Sequence, residues 1–313
     1  MLGIDLGASH GRVAVFGATG PRVLEDRDGA SAVPMAVAVD GEGKPVTGQA
    51  ARKILAERPG AGAEGFLADL GKEKTYAFGG RAWTPAECLA LYLQHLARLA
   101  EAALGAPPGP AVIAVPAYFH DGQRQAVKDA ALRAGLEFKL LLNEPTAVAL
   151  AWCFEHPKDR RLVMVLELDA RAFDVTLLDM LPERFEVLAA DGGKGLGAAE
   201  LRDGGRVAAA LDAPLHRALR QAGKQLKDIE EILLAGGSEH VEALEATLRD
   251  RHRRTCAKPS RPEEAVALGA AVFARIAPDA AKLAEAPGAP IVQTKPGCLV
   301  LLALGLAALA ASL

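Results

Sequence analysis

The sequence predicts an α/β fold of two similarly built lobes that face each other across a cleft. Three observations carry that expectation. The chain opens on LGIDLGASHGRVAVF, an apolar run ending in Asp5, a Gly-bearing turn and a second β-rich run from Arg12 to Phe16. The same design returns about 160 residues later as VMVLELDARAFDVTLL, with Glu167 closing the first run and Phe173 to Leu178 as the returning strand. Strand and helix signals alternate after each opening, as two copies of one α/β unit require. The length of 313 residues also favours about two domains at roughly 150 residues each.

Each element has a local cause. Each opening reads as a hairpin with a carboxylate near its tip, because short alternating runs flank a turn. The segment TPAECLALYLQHLARLAEAALG is an amphipathic helix: Thr84 caps it, Pro85 takes the first helical position, Glu87 completes a capping box, and Leu89, Leu93, Leu96 and Ala100 share one face. PAVIAV at 110 to 115 is a buried strand, followed by a helix that starts at Asp121 and ends at Gly135. In the second half Ile232 to Ser238 (ILLAGGS) is a strand running into a Gly turn and a helix near Glu239, and Pro262 to Ile276 is a further helix. The domain plan is a first lobe over 1–155, a shortened second lobe over 156–276, a linker over 277–297 rich in Ala, Pro and charge, and an apolar segment over 298–313.

Composition removes several classes. Half the residues are hydrophobic and 24% are charged, a globular balance. The 36 basic and 39 acidic residues are mixed along the chain, which gives no electrostatic footprint for nucleic acid, so any phosphate must be bound locally. Cys88, Cys153, Cys256 and Cys298 lie far apart and are read as free thiols in a reducing compartment, and the seven histidines show no zinc-ligand spacing. Asp5 interrupts the first apolar run, so no secretory signal is expected and a cytoplasmic location follows. The run from Cys298 to Leu313 carries no charge; as a helix of about 24 Å it is read either as a short membrane anchor or as a helix packed on the body. Lys295 beside it would leave the body on the cytoplasmic side.

The chemistry begins at Asp5 and Gly7. A carboxylate at a strand end can hold a hydrated Mg²⁺, while Gly and a small hydroxyl residue leave backbone amides free to approach phosphate. Taken singly, the other candidates have structural readings. Glu144 before Pro145 would cap a helix, Asp174 would sit on an exposed strand face, and Gly236 and Gly237 would make a tight turn.

Several segments in order resemble the heat-shock protein 70 (DnaK-type) chaperones. They are GIDLG at Gly3 to Gly7, VPAYFHDGQRQAVKDAALRAGLE at Val115 to Glu137, NEPTAVALAW at Asn143 to Trp152, and FDVTLLDM at Phe173 to Met180. FEVLAADGGKGLG at Phe185 to Gly197, LLAGGS at Leu233 to Ser238 and PEEAVALGAA at Pro262 to Ala271 complete the series. The resemblance implies an actin-like ATPase fold that binds ATP or ADP with Mg²⁺ in the cleft, with a client or other protein partner. By motif position it assigns Asp5, Gly7, Ala8 and Ser9 to the first phosphate loop and Glu144 to the pair that positions water. Asp174 falls in the second carboxylate set, Asp5 and Glu167 at the metal, and Arg171, Gly236, Gly237, His240 and Glu263 around the nucleotide.

The departures are as informative. The second phosphate loop, Asp-Leu-Gly-Gly-Gly-Thr in the family, reads Glu167-Leu168-Asp169-Ala170-Arg171-Ala172, which crowds the phosphates; Arg171 could contact phosphate and offset the added acid. Aligning the family's glycine on Gly71 puts Leu67 at the catalytic lysine, with Lys72 five residues away. The two threonines of the first loop become Ala8 and Ser9, the asparagine becomes His10, and the adenine-packing arginine becomes His240. Only some thirty residues separate Gly197 from Ile232, too few for the family's adenine-clamping subdomain, and the linker and apolar run stand where its peptide-binding domain and lid would follow. The expected function is a degenerate chaperone-type ATPase that binds nucleotide and hydrolyses it poorly. The alternative is a nucleotide-free, membrane-tethered scaffold. A sugar or acetate kinase is disfavoured because no acceptor motif is present.

Overall fold

The computed structural model describes residues 1–158, 160–168, 172–181, 185–194, 204–236 and 238–276. The chain starts with the hairpin β1 (Leu2–Leu6) and β2 (His10–Gly17), then β3 (Gly20–Val23) and β4 (Val33–Pro34). An insertion follows, made of β5 (Ala36–Val39), β6 (Pro45–Thr47), α1 (Gln49–Glu57), β7 (Gly62–Glu64), and the hairpin β8 (Tyr76–Phe78) and β9 (Arg81–Trp83). The first half closes with α2 (Pro85–Leu104), β10 (Ala111–Val115), α3 (Asp121–Arg133), β11 (Phe138–Asn143) and α4 (Glu144–Glu155). The second half contains β12 (Arg161–Leu168), β13 (Ala172–Met180), β14 (Phe185–Lys194), α5 (Gly204–Gln221), β15 (Glu231–Gly236), α6 (Ser238–His252) and α7 (Ala265–Ile276).

The duplication is visible in the sheets. The first runs β11-β10-β1-β2-β3, with β4 on β2; the second runs β14-β13-β12-β15, and Ala257 extends its edge by a parallel bridge to Leu233. In both, the opening hairpin is antiparallel and the next core strand joins its first strand in parallel. Between β14 and β15 the described secondary structure is α5 and a short 3₁₀ turn, whereas the corresponding interval of the first half holds the insertion and α2.

Alternation of side chains sorts each sheet into two faces. Leu2, Ile4 and Leu6 of β1 join Leu89, Leu93 and Leu96 of α2 and Val127 of α3 in an outer core. On the second sheet Met164, Leu166 and Leu168 join Leu211 and Leu215 of α5 and Leu244 and Leu248 of α6 in another. The inner faces meet in a third core, where Ala14, Val112 and Ala114 of the first sheet and Val163, Val165 and Leu178 of the second enclose α4 and α7. The helices cross over: α7, the last described element, lies on β1, β2, β3 and β10, while α4, which follows the first sheet, also packs on β12, β13 and β15.

These inner layers touch backbone to backbone. A Cβ placed on Gly269 of α7 would fall 1.8 Å from the carbonyl oxygen of Ala147 in α4. One placed on Gly3 of β1 would fall 2.3 Å from the Ala271 nitrogen of α7. Side-chain-free contact at both places lets one helix pair, rather than two stacked layers, fill the gap between the sheets.

Local signals hold with small shifts. The capping box of Thr84 and Glu87 is formed, with Pro85 in the first turn and Gly105 closing α2 at φ 67°. Asp121 opens α3, yet the cap is His120, whose ring accepts from the Gln123 amide. The last helix begins at Ala265, three residues inside the expected start at Pro262, so Glu263 stands in the preceding turn. Cys88, Cys153 and Cys256 are free thiols. The linker and the apolar segment lie outside the described residues, and no described helix is long and apolar enough to cross a membrane.

Gly269→Val should force α4 and α7 apart and lower the unfolding free energy by about 1–3 kcal/mol or more, the usual cost of overpacking. Denaturant titration reads this as a lower midpoint; an unchanged midpoint would mean the helices are not in backbone contact.

Candidate functional site between the two hairpins

Strand alternation fixes where the acids point. Asp5 lies two residues beyond Gly3, on the β1 face that meets α7, and its partner across the hairpin is Arg12. Glu167 follows Val163 and Val165 along the inner face of β12, and its partner across β12 and β13 is Asp174. Glu144 is the first residue of α4, after the N-cap Asn143. Asp5, Glu144, Glu167 and Asp174 are each between 5% and 7% exposed, so the four acids the resemblance assigns are all buried around the shared inner core. Asp174 is therefore not an exposed strand residue.

The turns are shaped by close approach. Gly7 leaves β1 with its would-be Cβ only 2.7 Å from the carbonyl oxygen of His10. Ala8 and Ser9 are exposed at the tip, where the Ser9 hydroxyl lies 3.0 Å from His10 Nδ1. In the second half, Gly236 ends β15 beside Leu168 at φ 104°, and a Cβ there would sit 2.0 Å from the Leu168 carbonyl oxygen. This position admits only glycine on both conformational and steric grounds. Arg171, Gly237 and the side chain of His240 lie outside what is described, and Glu263 is exposed in the turn before α7.

The two hairpins differ in charge at matching positions. Arg12 Nη1 lies 3.8 Å from Asp5 Oδ2, an ion pair largely shielded from solvent. The Glu167 and Asp174 pair instead sets two carboxylates opposite one another, an arrangement that disfavours itself unless a cation or donor group joins it. Oxygen donors placed this way suit a hard divalent cation such as Mg²⁺. Asp5 of the first hairpin has a cation at its side, and the facing carboxylates of the second are oxygen donors of the kind a divalent cation takes. Among the described residues no three His, Cys, Asp or Glu side chains converge as a ready-made metal site.

The lysine position is decided by packing. Leu67 lies in a 3₁₀ turn (Phe66–Asp69) and is buried in the outer core with Phe66 and Leu70. Lys72 is 2.7 Å from Asp69, which also holds Lys74 and accepts from the Tyr76 hydroxyl at 2.8 Å. Hydrogen bonds from those two lysines and Tyr76 outweigh the opposing effect of burial and hold the Asp69 carboxyl far below the ordinary carboxylate range. Lys72 is thus paired with Asp69 at the surface.

Sequence reasoning missed Arg12. Its signal was available, since Asp5 and Arg12 are equidistant from a turn centred on Ala8 and Ser9, as Glu167 and Asp174 are from theirs.

Two sheets of one strand order, joined through exchanged helices and carrying buried acids on their inner faces, are consistent with the actin-like ATPase class. The family model of the Hsp70 protein matches residues 69–203 and 206–285, and the chain belongs to the Hsp70 family. Membership links it to chaperone-related proteins that bind ATP.

Leu67→Lys would bury an ammonium in an apolar cluster, whereas Leu67→Met conserves volume. The lysine variant should unfold at a denaturant midpoint well below the methionine variant, by several kcal/mol if the charge stays buried. Equal midpoints would show that the side chain reaches solvent or the cleft.

Proposed function

We propose that this chain is an Hsp70-type nucleotide-binding module that takes ATP or ADP between its two hairpin turns and hydrolyses ATP slowly. The observation that supports it best is the burial of Asp5, Glu144, Glu167 and Asp174 around one core shared by both sheets. In this reading the amides of the Gly7–His10 turn approach the phosphates, and Gly236 leaves room beside the nucleoside. A bound Mg²⁺ would be held from the Glu167 and Asp174 side and would neutralise charge on the phosphates. Glu144 and Asp174 orient the attacking water by accepting its protons as hydrogen bonds. Positioning and charge neutralisation supply most of the catalysis in phosphoryl transfer, so a site with Leu67 in place of a lysine loses rate more than affinity. The lobes are 1–155 and 156–276, with the helices α4 and α7 exchanged between them.

Calorimetric titration with ATP and with ADP tests this reading. Saturable heat at micromolar ligand, with phosphate release far slower than nucleotide exchange, is the expected result. Absence of heat with either nucleotide would leave the scaffold reading, in which Arg12 on Asp5 and Leu67 in the core record a cleft given over to a protein partner.

We further propose that the apolar run from Cys298 to Leu313 tethers this body to a membrane. In cell fractionation the full chain should sediment with membranes and a chain ending at Gly297 should not; equal partition of the two would remove the tether.

A further inference from the structure

The first hairpin carries a cationic cluster that the metal-based reading leaves unused. Arg12 Nη1 lies beside Asp5, and its Nε is buried with no hydrogen-bond partner among the described residues. A guanidinium has five N–H donors in a fixed fork, and a buried donor left unpaired is costly, so the atom marks a place for an acceptor. Arg52 of α1 reaches the same turn: its Nη1 lies 3.2 Å from His10 Nε2, while its Nε is 3.7 Å from Glu64 at the rim. Burial, then Arg52 and Arg12, push the His10 ring below its ordinary value, and the Arg52–His10 contact ties α1 to the turn. Two arginines therefore flank Gly7 to His10, Arg12 on the inner face of β2 and Arg52 from α1.

The matching position of the second hairpin sharpens the point. Arg12 and Asp174 occupy the same register in their respective hairpins, each opposite the acid one residue before the end of the first strand. Where the second hairpin has two acids and suits a metal, the first has an acid with a built-in cation. A guanidinium binds phosphate oxygens in bidentate fashion and stays charged at any working pH.

Resting on the nucleotide reading above, we propose that Arg12, assisted by Arg52, binds the polyphosphate of a nucleoside di- or triphosphate directly, in place of the divalent cation on the first-hairpin side. Binding of nucleotide to this chain is then largely independent of Mg²⁺. Nη1 stays beside Asp5 while the Nε turns to a phosphate oxygen, so the bound anion pairs the Nε without taking Arg12 from Asp5.

The test is calorimetric titration of the full chain with ADP in Mg²⁺ and in excess EDTA. The dissociation constants should agree within about fivefold, and Arg12→Gln should weaken binding in EDTA at least tenfold, with Arg52→Gln showing a smaller loss. Circular dichroism confirms that each variant is folded; Arg52 is partly exposed, so its variant keeps the test valid should Arg12→Gln unfold. Loss of affinity by a hundredfold or more in EDTA, with full binding in Mg²⁺, would overturn the proposal and leave the nucleotide reading standing. Unchanged binding by both folded variants would do the same. No heat in either condition would overturn both.

Discussion

The contact between α4 and α7 sets the spacing on which everything else depends. With Gly269 against the Ala147 carbonyl and Gly3 against Ala271, the two helices and the first sheet meet without intervening side chains. Each helix belongs in sequence to one half and packs on the sheet of the other. The inner faces are thereby held one helix layer apart, and the acids at the ends of β1 and β12 project into the same zone. Close packing has few degrees of freedom, so even one methyl group at Gly269 would be felt at both hairpins.

Within that frame the two halves have diverged in chemistry while keeping their geometry. The hairpins share a register in which the acid one residue before the end of the first strand faces one residue of the returning strand. In the first half that residue is Arg12 and in the second Asp174. The first hairpin thus carries its own positive charge beside the acid, where the second pairs two acids. Leu67 packs in the outer core with Phe66 and Leu70. The buried acids and the closely approached glycines Gly7 and Gly236 are kept, while the segment from Glu167 to Ala172 departs from the glycine-rich pattern of the family.

Much of the fold was legible in the sequence because its signals are local or repeated. The capping box at Thr84, the apolar strand at Ala111–Val115 and the paired acid-turn motifs each rest on short-range rules, and each is found in the structure. The helix exchange was not legible. Nothing in the Ala-rich sequence of α7 says which sheet it will cover, because small residues pack equally well on either. Arg12 escaped for another reason: as a lone basic residue on a β-run it draws no notice until the turn is centred on Ala8 and Ser9, which puts it opposite Asp5. The burial of Asp174 likewise follows from the layer that covers β13, which no window of local sequence reports.

The most direct measurement is a crystal structure of the chain with bound ADP. The account predicts phosphates lying between the Gly7–His10 turn and the ends of β12 and β15, with Arg12 within hydrogen-bond distance of a phosphate oxygen. Nucleotide bound elsewhere on the molecule, or a β1–β2 turn facing away from the ligand, would contradict it.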